Sequence, residues 1–127
     1  MTAARESALR VTIVSSNPET LDGLQGYLRL AGVDARGTGD IESGVALDPY
    51  PCAVVFFPDE FPAGSVIREV ERLQRERPQL LILIVTRDPR GFREVLDTDE
   101  PSPTLVVAKP VWGWTILDAI RGHVENF

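Results

Sequence analysis

The chain has 127 residues, of which 43% are hydrophobic and 25% charged, as expected of one soluble domain with a sizeable core. A net charge of −6 and a pI near 4.7 argue against binding nucleic acid or an anionic membrane through this domain. Cys52 is the only cysteine, which excludes an internal disulfide, and no apolar stretch reaches membrane-spanning length.

Val11-Thr12-Ile13-Val14 reads as the first strand. Asn17 is a good helix N-cap and Pro18 suits the first helical position. Leu21, Leu24, Leu28 and Ala31 then recur at helical spacing, and Gly32 stops the helix. Val33 to Arg36 is short and polar, as an edge strand would be. Gly37 to Asp40 reads as a loop, and Ile41 to Leu47 as a short second helix ended by Asp48-Pro49-Tyr50-Pro51. Ala53 to Phe57 is apolar throughout, the mark of a strand covered on both faces. Half-buried or buried, Cys52 fits beside it as a small side chain.

Ala63 to Arg77 is strongly amphipathic, with Val66, Ile67, Val70 and Leu73 on one face. Pro78 closes it. Leu80 to Val85 is the fourth strand, again apolar throughout. Pro89 to Leu96 is a short helix carrying Phe92, Val95 and Leu96. Asp97 to Pro103 is a polar loop, Thr104 to Ala108 the fifth strand, and Gly113 to Val124 the last helix. Ile116, Leu117 and Ile120 set its inward face. Strict alternation of strand and helix predicts the α/β class, a parallel sheet with helices on both faces. Residues 1–9 are expected as a flexible N-terminal lead and 10–127 as one domain. The polar start lacks the apolar core of a signal peptide, so a cytoplasmic location is expected.

Chemistry-bearing clusters are few. His123 is the only histidine, which argues against a catalytic triad or a His-based metal site. Asp97-Thr98-Asp99-Glu100 reads as a solvated loop, and Gly37-Thr38-Gly39 lacks the rest of a dinucleotide motif. Tyr27 lies near the apolar stripe of the first helix and needs no functional role.

The ends of the strands are more informative. The first ends in Ser15-Ser16, the third in Pro58, the fourth in Thr86 and the fifth in Lys109-Pro110. This layout resembles the receiver domain of response regulators, over residues 10 to 124. The resemblance implies a flavodoxin-like, doubly wound five-stranded sheet in the order 2-1-3-4-5. In such an order the ends of strands one, three and five meet at the switch point. A working receiver carries an acidic pair after strand one, a phospho-accepting Asp after strand three, a Thr or Ser after strand four and a Lys-Pro after strand five. Here Thr86, Lys109 and Pro110 match the pattern, whereas Ser15, Ser16 and Pro58 replace the three carboxylates. The Pro58 assignment follows from aligning Pro62 with the family's usual Pro four residues past the acceptor.

These replacements predict a degenerate phosphorylation pocket. Mg²⁺ wants oxygen ligands, usually with one or two carboxylates, and neutral hydroxyls cannot replace that charge. Pro58 carries no nucleophile. Asp59 is one residue further on, and a one-residue slip in a strand turns the side chain to the opposite face. An unpaired buried ammonium is costly, so Lys109 should reach Asp59 or Glu60, or else snorkel to water. Pro110 would set the turn into the last helix, typically in the family through a cis bond. The family's switch aromatic, three residues before the Lys, is Val106 here, so the Thr–aromatic relay is also missing.

Trp112 and Trp114 depart from the family in another way, since exposed Trp is a common interface anchor. By helical spacing from Ile116, Trp112 is the one expected to pack down, leaving Trp114 exposed. The resulting expectation is a phosphorylation-independent pseudo-receiver of a bacterial two-component-like pathway. It would not be an enzyme and would use no cofactor and no metal. Its partner would be a protein or a second copy, a homodimer. That partner would bind through the face of the fourth helix, fifth strand and fifth helix, with Val106, Trp112 and Trp114. Two alternatives are a phospho-accepting receiver using Asp59 and a flavodoxin-like small-molecule-binding domain.

Overall fold

The computed structural model describes residues 9–39, 52–76, 80–95, 104–109 and 111–125. The expected helix 41–47, the acidic loop 97–100, Pro110 and most of the N-terminal lead lie outside the described residues. Within them the chain forms β1 (Arg10–Val14), α1 (Pro18–Leu30), β2 (Asp34–Thr38) and β3 (Ala53–Phe56). A 3₁₀ turn (Pro58–Glu60) follows, then α2 (Ala63–Glu76), β4 (Leu81–Thr86), α3 (Pro89–Val95), β5 (Thr104–Ala108) and α4 (Gly113–Glu125).

The strands make one sheet in the order β2-β1-β3-β4-β5, and every neighbouring pair is parallel. Successive side chains of a strand face opposite layers, and the two cores follow that period. Val11, Ile13, Ala53, Val55, Leu81, Leu83 and Val85 pack with Leu24 and Leu28 of α1 and Ile116, Leu117 and Ile120 of α4. Val14, Val54, Phe56, Ile82 and Ile84 pack on the other side with Val66, Val70 and Leu73 of α2. A strand buried on both faces has no polar position to spare, which is why β3 and β4 read as unbroken apolar runs. Full burial of each such aliphatic side chain contributes about 1.5–3 kcal/mol.

The helix start is built as expected. Asn17 Oδ1 accepts from the N–H groups of Glu19 at 2.9 Å and Thr20 at 3.4 Å. At the other end Gly32 has φ +90°, a backbone state that favours glycine. Strand β2 differs from expectation: Gly37 and Thr38 belong to it rather than to a loop, because they pair with Ile13 and Val14. The parallel ladder overrode the local turn signal of Gly-Thr-Gly. Among the described residues, no helix is long and apolar enough to cross a membrane.

Because Asn17 satisfies two otherwise free donors, Asn17→Ala is expected to lower stability by about 1 kcal/mol. Urea unfolding should show this as a lower midpoint with an unchanged slope.

Candidate functional site

The ladder continues beyond the strand ends and lines up the residues at the switch point. Ser15 N–H donates to the Thr38 carbonyl at 3.0 Å, Phe57 N–H to Val14 at 3.0 Å and Lys109 N–H to Thr86 at 2.9 Å. Backbone hydrogen bonds therefore place Ser15, Pro58, Thr86 and Lys109 at one end of the sheet. Pro58 opens the 3₁₀ turn, and its ring is buried. The next two side chains carry the charge.

Glu60 turns toward β1. Its Oε1 accepts from the Ser15 hydroxyl at 2.6 Å, the Ser16 N–H at 2.6 Å and the Ser16 hydroxyl at 3.3 Å. Asp59 turns toward β4 and β5. Its Oδ1 accepts from the Thr86 hydroxyl at 2.6 Å and its Oδ2 from the Arg87 N–H at 2.9 Å. Lys109 Nζ stands 3.6 Å and Arg87 Nε 3.5 Å from the same Oδ2.

Two hydroxyls are oriented in the same way. Ser15 Oγ accepts from the Asn17 N–H and Thr86 Oγ1 from the Asp88 N–H, each at 3.1 Å. With a lone pair engaged locally, each hydroxyl has its single proton free for a carboxylate. Both hydroxyl-bearing residues are fully buried, while their carboxylate partners reach the surface, so these bonds are part-buried. Partial burial of the Asp59 carboxyl works against its charge. The Thr86 hydroxyl, the Arg87 N–H and the Lys109 and Arg87 cations outweigh that cost, and its pKa lies below the ordinary carboxylate value.

The strand-parity expectation for Asp59 is thus corrected. It assumed that β3 continues past Phe57, but the strand ends at Phe56 and the turn aims Asp59 into the pocket. The expectation that Lys109 pairs with an acid from the loop is met by Asp59. Glu60 is instead taken by the two serines, a role sequence reasoning missed. Its signal was there: two acids directly after a proline that ends a strand.

The tryptophans also depart from expectation. Trp112 is 66% exposed and Trp114 53%, so Trp112 does not pack down. Their rings stack on each other, with centroids 4.9 Å apart and planes 4° from parallel. Helical spacing from Ile116 fails at Trp112 because the helix begins at Gly113. Gly113 sits against Tyr27, where a Cβ would lie only 2.9 Å from the tyrosine ring. Val106 is half-buried and packs against the α2-side core. Cys52 is half-buried, and burial pushes its thiol pKa up.

Solved structures share this architecture. A receiver-domain protein described as CheY-like, from Methanospirillum hungatei, superposes with a TM-score of 0.80 at 18% identity, over 94% of this chain and 96% of that one. The signal receiver domain of an HD-domain-containing protein from Pseudomonas fluorescens gives 0.77 at 18% identity, over 93% and 95%. The chain has the receiver fold. An orphan response regulator of H. pylori also matches, at 0.75 and 18% identity, over 92% and 97%. No family model matches the sequence, and no curated protein matches it significantly. In this receiver fold the site just described lies at the switch point between β1 and β3, where open α/β sheets hold their ligands.

The two carboxylates predict different mutational costs. In Glu60→Gln the amide oxygen still accepts from both serines, so the loss should stay at about 1 kcal/mol or less. In Asp59→Asn an N–H₂ replaces an oxygen that faces the Arg87 N–H and the Lys109 ammonium. That change should cost about 1–3 kcal/mol at neutral pH. A carboxyl whose folded pKa is depressed stabilises above its unfolded pKa of about 4 and loses that contribution as pH falls through the folded value. Denaturant melts from pH 7 down to pH 2 should therefore show the Asp59→Asn deficit shrinking below about pH 4.

Proposed function

We propose that this chain is a phosphorylation-independent receiver-like module that acts by binding a protein partner. One observation carries the reading. In a working receiver the Thr hydroxyl and the Lys ammonium serve the acceptor and its phosphoryl group. Here Asp59 already draws the Thr86 hydroxyl and Lys109, while Glu60 draws both serines. The pocket is closed by the chain's own carboxylates.

The donor set does not suit a magnesium site of the family kind. Glu60 Oε1 and both Asp59 oxygens already accept protein donors. Among the described residues, no group of three or more His, Cys, Asp or Glu side chains is placed to hold a metal. Mg²⁺ takes oxygen ligands, usually one or two carboxylates with several waters. On this reading the module acts through binding alone, neither as an enzyme nor with a cofactor.

A second reading has its own support. Asp59 is the carboxylate beside Thr86 and Lys109, the neighbours a phospho-acceptor has in the family. Incubation with acetyl phosphate and Mg²⁺ separates the two. The proposal expects no mass gain of one phosphoryl group by intact mass spectrometry. A hydroxylamine-labile adduct on Asp59 would establish the second reading instead.

The partner surface we assign to Trp112 and Trp114, with Val106 and β5 beside α3. Stacked, exposed indoles are large, rigid and amphipathic, the properties of interface anchors. A protein partner or a second copy would cover them. Trp114→Ala should change folding stability by no more than about 1 kcal/mol, the worth of a stacked pair. The same change should weaken association by about 2 kcal/mol, roughly thirtyfold. Sedimentation of the free chain and pull-down titration of any captured partner would measure the second effect.

A further inference from the structure

A cavity of about 380 Å³ is lined by residues of α1, the start of α4, Val85 of β4, Phe57 and Lys109. Its walls are Leu24, Tyr27, Phe57, Val85, Val111 and Ile116, all apolar or aromatic. Its volume is that of a small-molecule pocket, where apolar walls with a few polar groups are the rule. The polar side chains in the lining belong to Thr20, Tyr27 and Lys109. Among the described residues lining it, Lys109 is the one charged group, and no carboxylate faces it.

The state of the ammonium matters. Lys109 Nζ has three N–H donors. Among the described residues it stands 3.6 Å from Asp59 and 5.6 Å from the centre of the Phe57 ring. The first is an ion pair beyond hydrogen-bond length, and the second is a cation–π contact. Asp59 is already served by the Thr86 hydroxyl and the Arg87 N–H. Lys109 therefore has donors beyond its one long ion pair, and it lines an apolar cavity together with the Phe57 ring.

We propose that this cavity binds a small organic monocarboxylate with a flat apolar body, its charge paired to Lys109. A single charge fits better than several, because the chain's net charge of −6 repels polyanions. The α1 wall leaves room for such a body at Gly23, where an added Cβ would meet nothing within 4 Å. The inference is separate from the partner-binding proposal, since neither Trp112 nor Trp114 lines the cavity.

The test titrates the ¹⁵N-labelled chain with 3-phenylpropanoate and with its neutral isostere 3-phenylpropanamide. Shifts are expected to cluster on the amides of Thr20, Leu24, Tyr27, Gly113 and Ile116. The carboxylate should bind about fivefold tighter than the amide, the worth of a partly exposed ion pair. Lys109→Met should erase that preference. Gly23→Leu, which fills the open wall from a helical position, should block both compounds while ¹⁵N spectra show an intact fold. Three outcomes overturn the proposal: no shifts at these amides with either compound at millimolar levels, equal affinities for acid and amide, or inorganic phosphate shifting the same amides as strongly. Acetyl phosphate reactivity and Trp114→Ala binding read the earlier proposals independently of this result.

Discussion

Two neighbouring carboxylates on one short turn organise the functional end of this sheet. Consecutive side chains of a strand diverge by 180°, whereas those of a 3₁₀ turn diverge by about 120°. Because the chain changes from strand to turn after Phe56, Asp59 and Glu60 point to different neighbours. Glu60 ties the turn to the start of α1 through Ser15 and Ser16, and Asp59 ties it to the ends of β4 and β5. A single turn thereby joins the ends of four adjacent strands. Charged acceptors make hydrogen bonds roughly twice as strong as neutral ones, so this arrangement adds rigidity where loops are otherwise loose.

The serines acquire a clear role in this setting. An acidic pair at their positions would repel Glu60, and like charges at such spacing raise pKa values rather than bind. Neutral hydroxyls and an amide N–H instead supply the donors that Glu60 needs. Hydroxyls at the end of β1 and carboxylates on the β3 turn are therefore two halves of one arrangement, donors on one side of the switch point and acceptors on the other.

Most of the fold was legible because burial on both faces leaves a plain mark. The apolar runs of β3 and β4, the Asn17-Pro18 start and the α2 stripe needed no tertiary knowledge. Gly37 and Thr38 were misread because their strand state depends on pairing with β1, which no local window contains. The site was half legible. Thr86 and Lys109 follow from strand ends, but the aim of Asp59 depends on where β3 stops, and one residue of error there reverses a side chain. The tryptophans show the same limit at a helix end, where periodicity ceases to apply to Trp112.

Lys109 connects these observations. Its backbone N–H bonds to Thr86 at 2.9 Å, so the ladder, and not its charge, fixes where the residue sits. The ammonium then lies 3.6 Å from Asp59 and 5.6 Å from the centre of the Phe57 ring, and both Lys109 and Phe57 line the apolar cavity. Asp59 retains the Thr86 hydroxyl and the Arg87 N–H whether or not Lys109 leans toward it. A small shift of the ammonium toward the cavity would cost one long ion pair, partly screened by solvent, and leave every backbone bond in place. The lysine of this receiver fold is thus a cation held in position by the sheet and paired with Asp59. That ion pair is longer than the bonds of the two buried hydroxyls, whose partners are fixed by the turns that orient them.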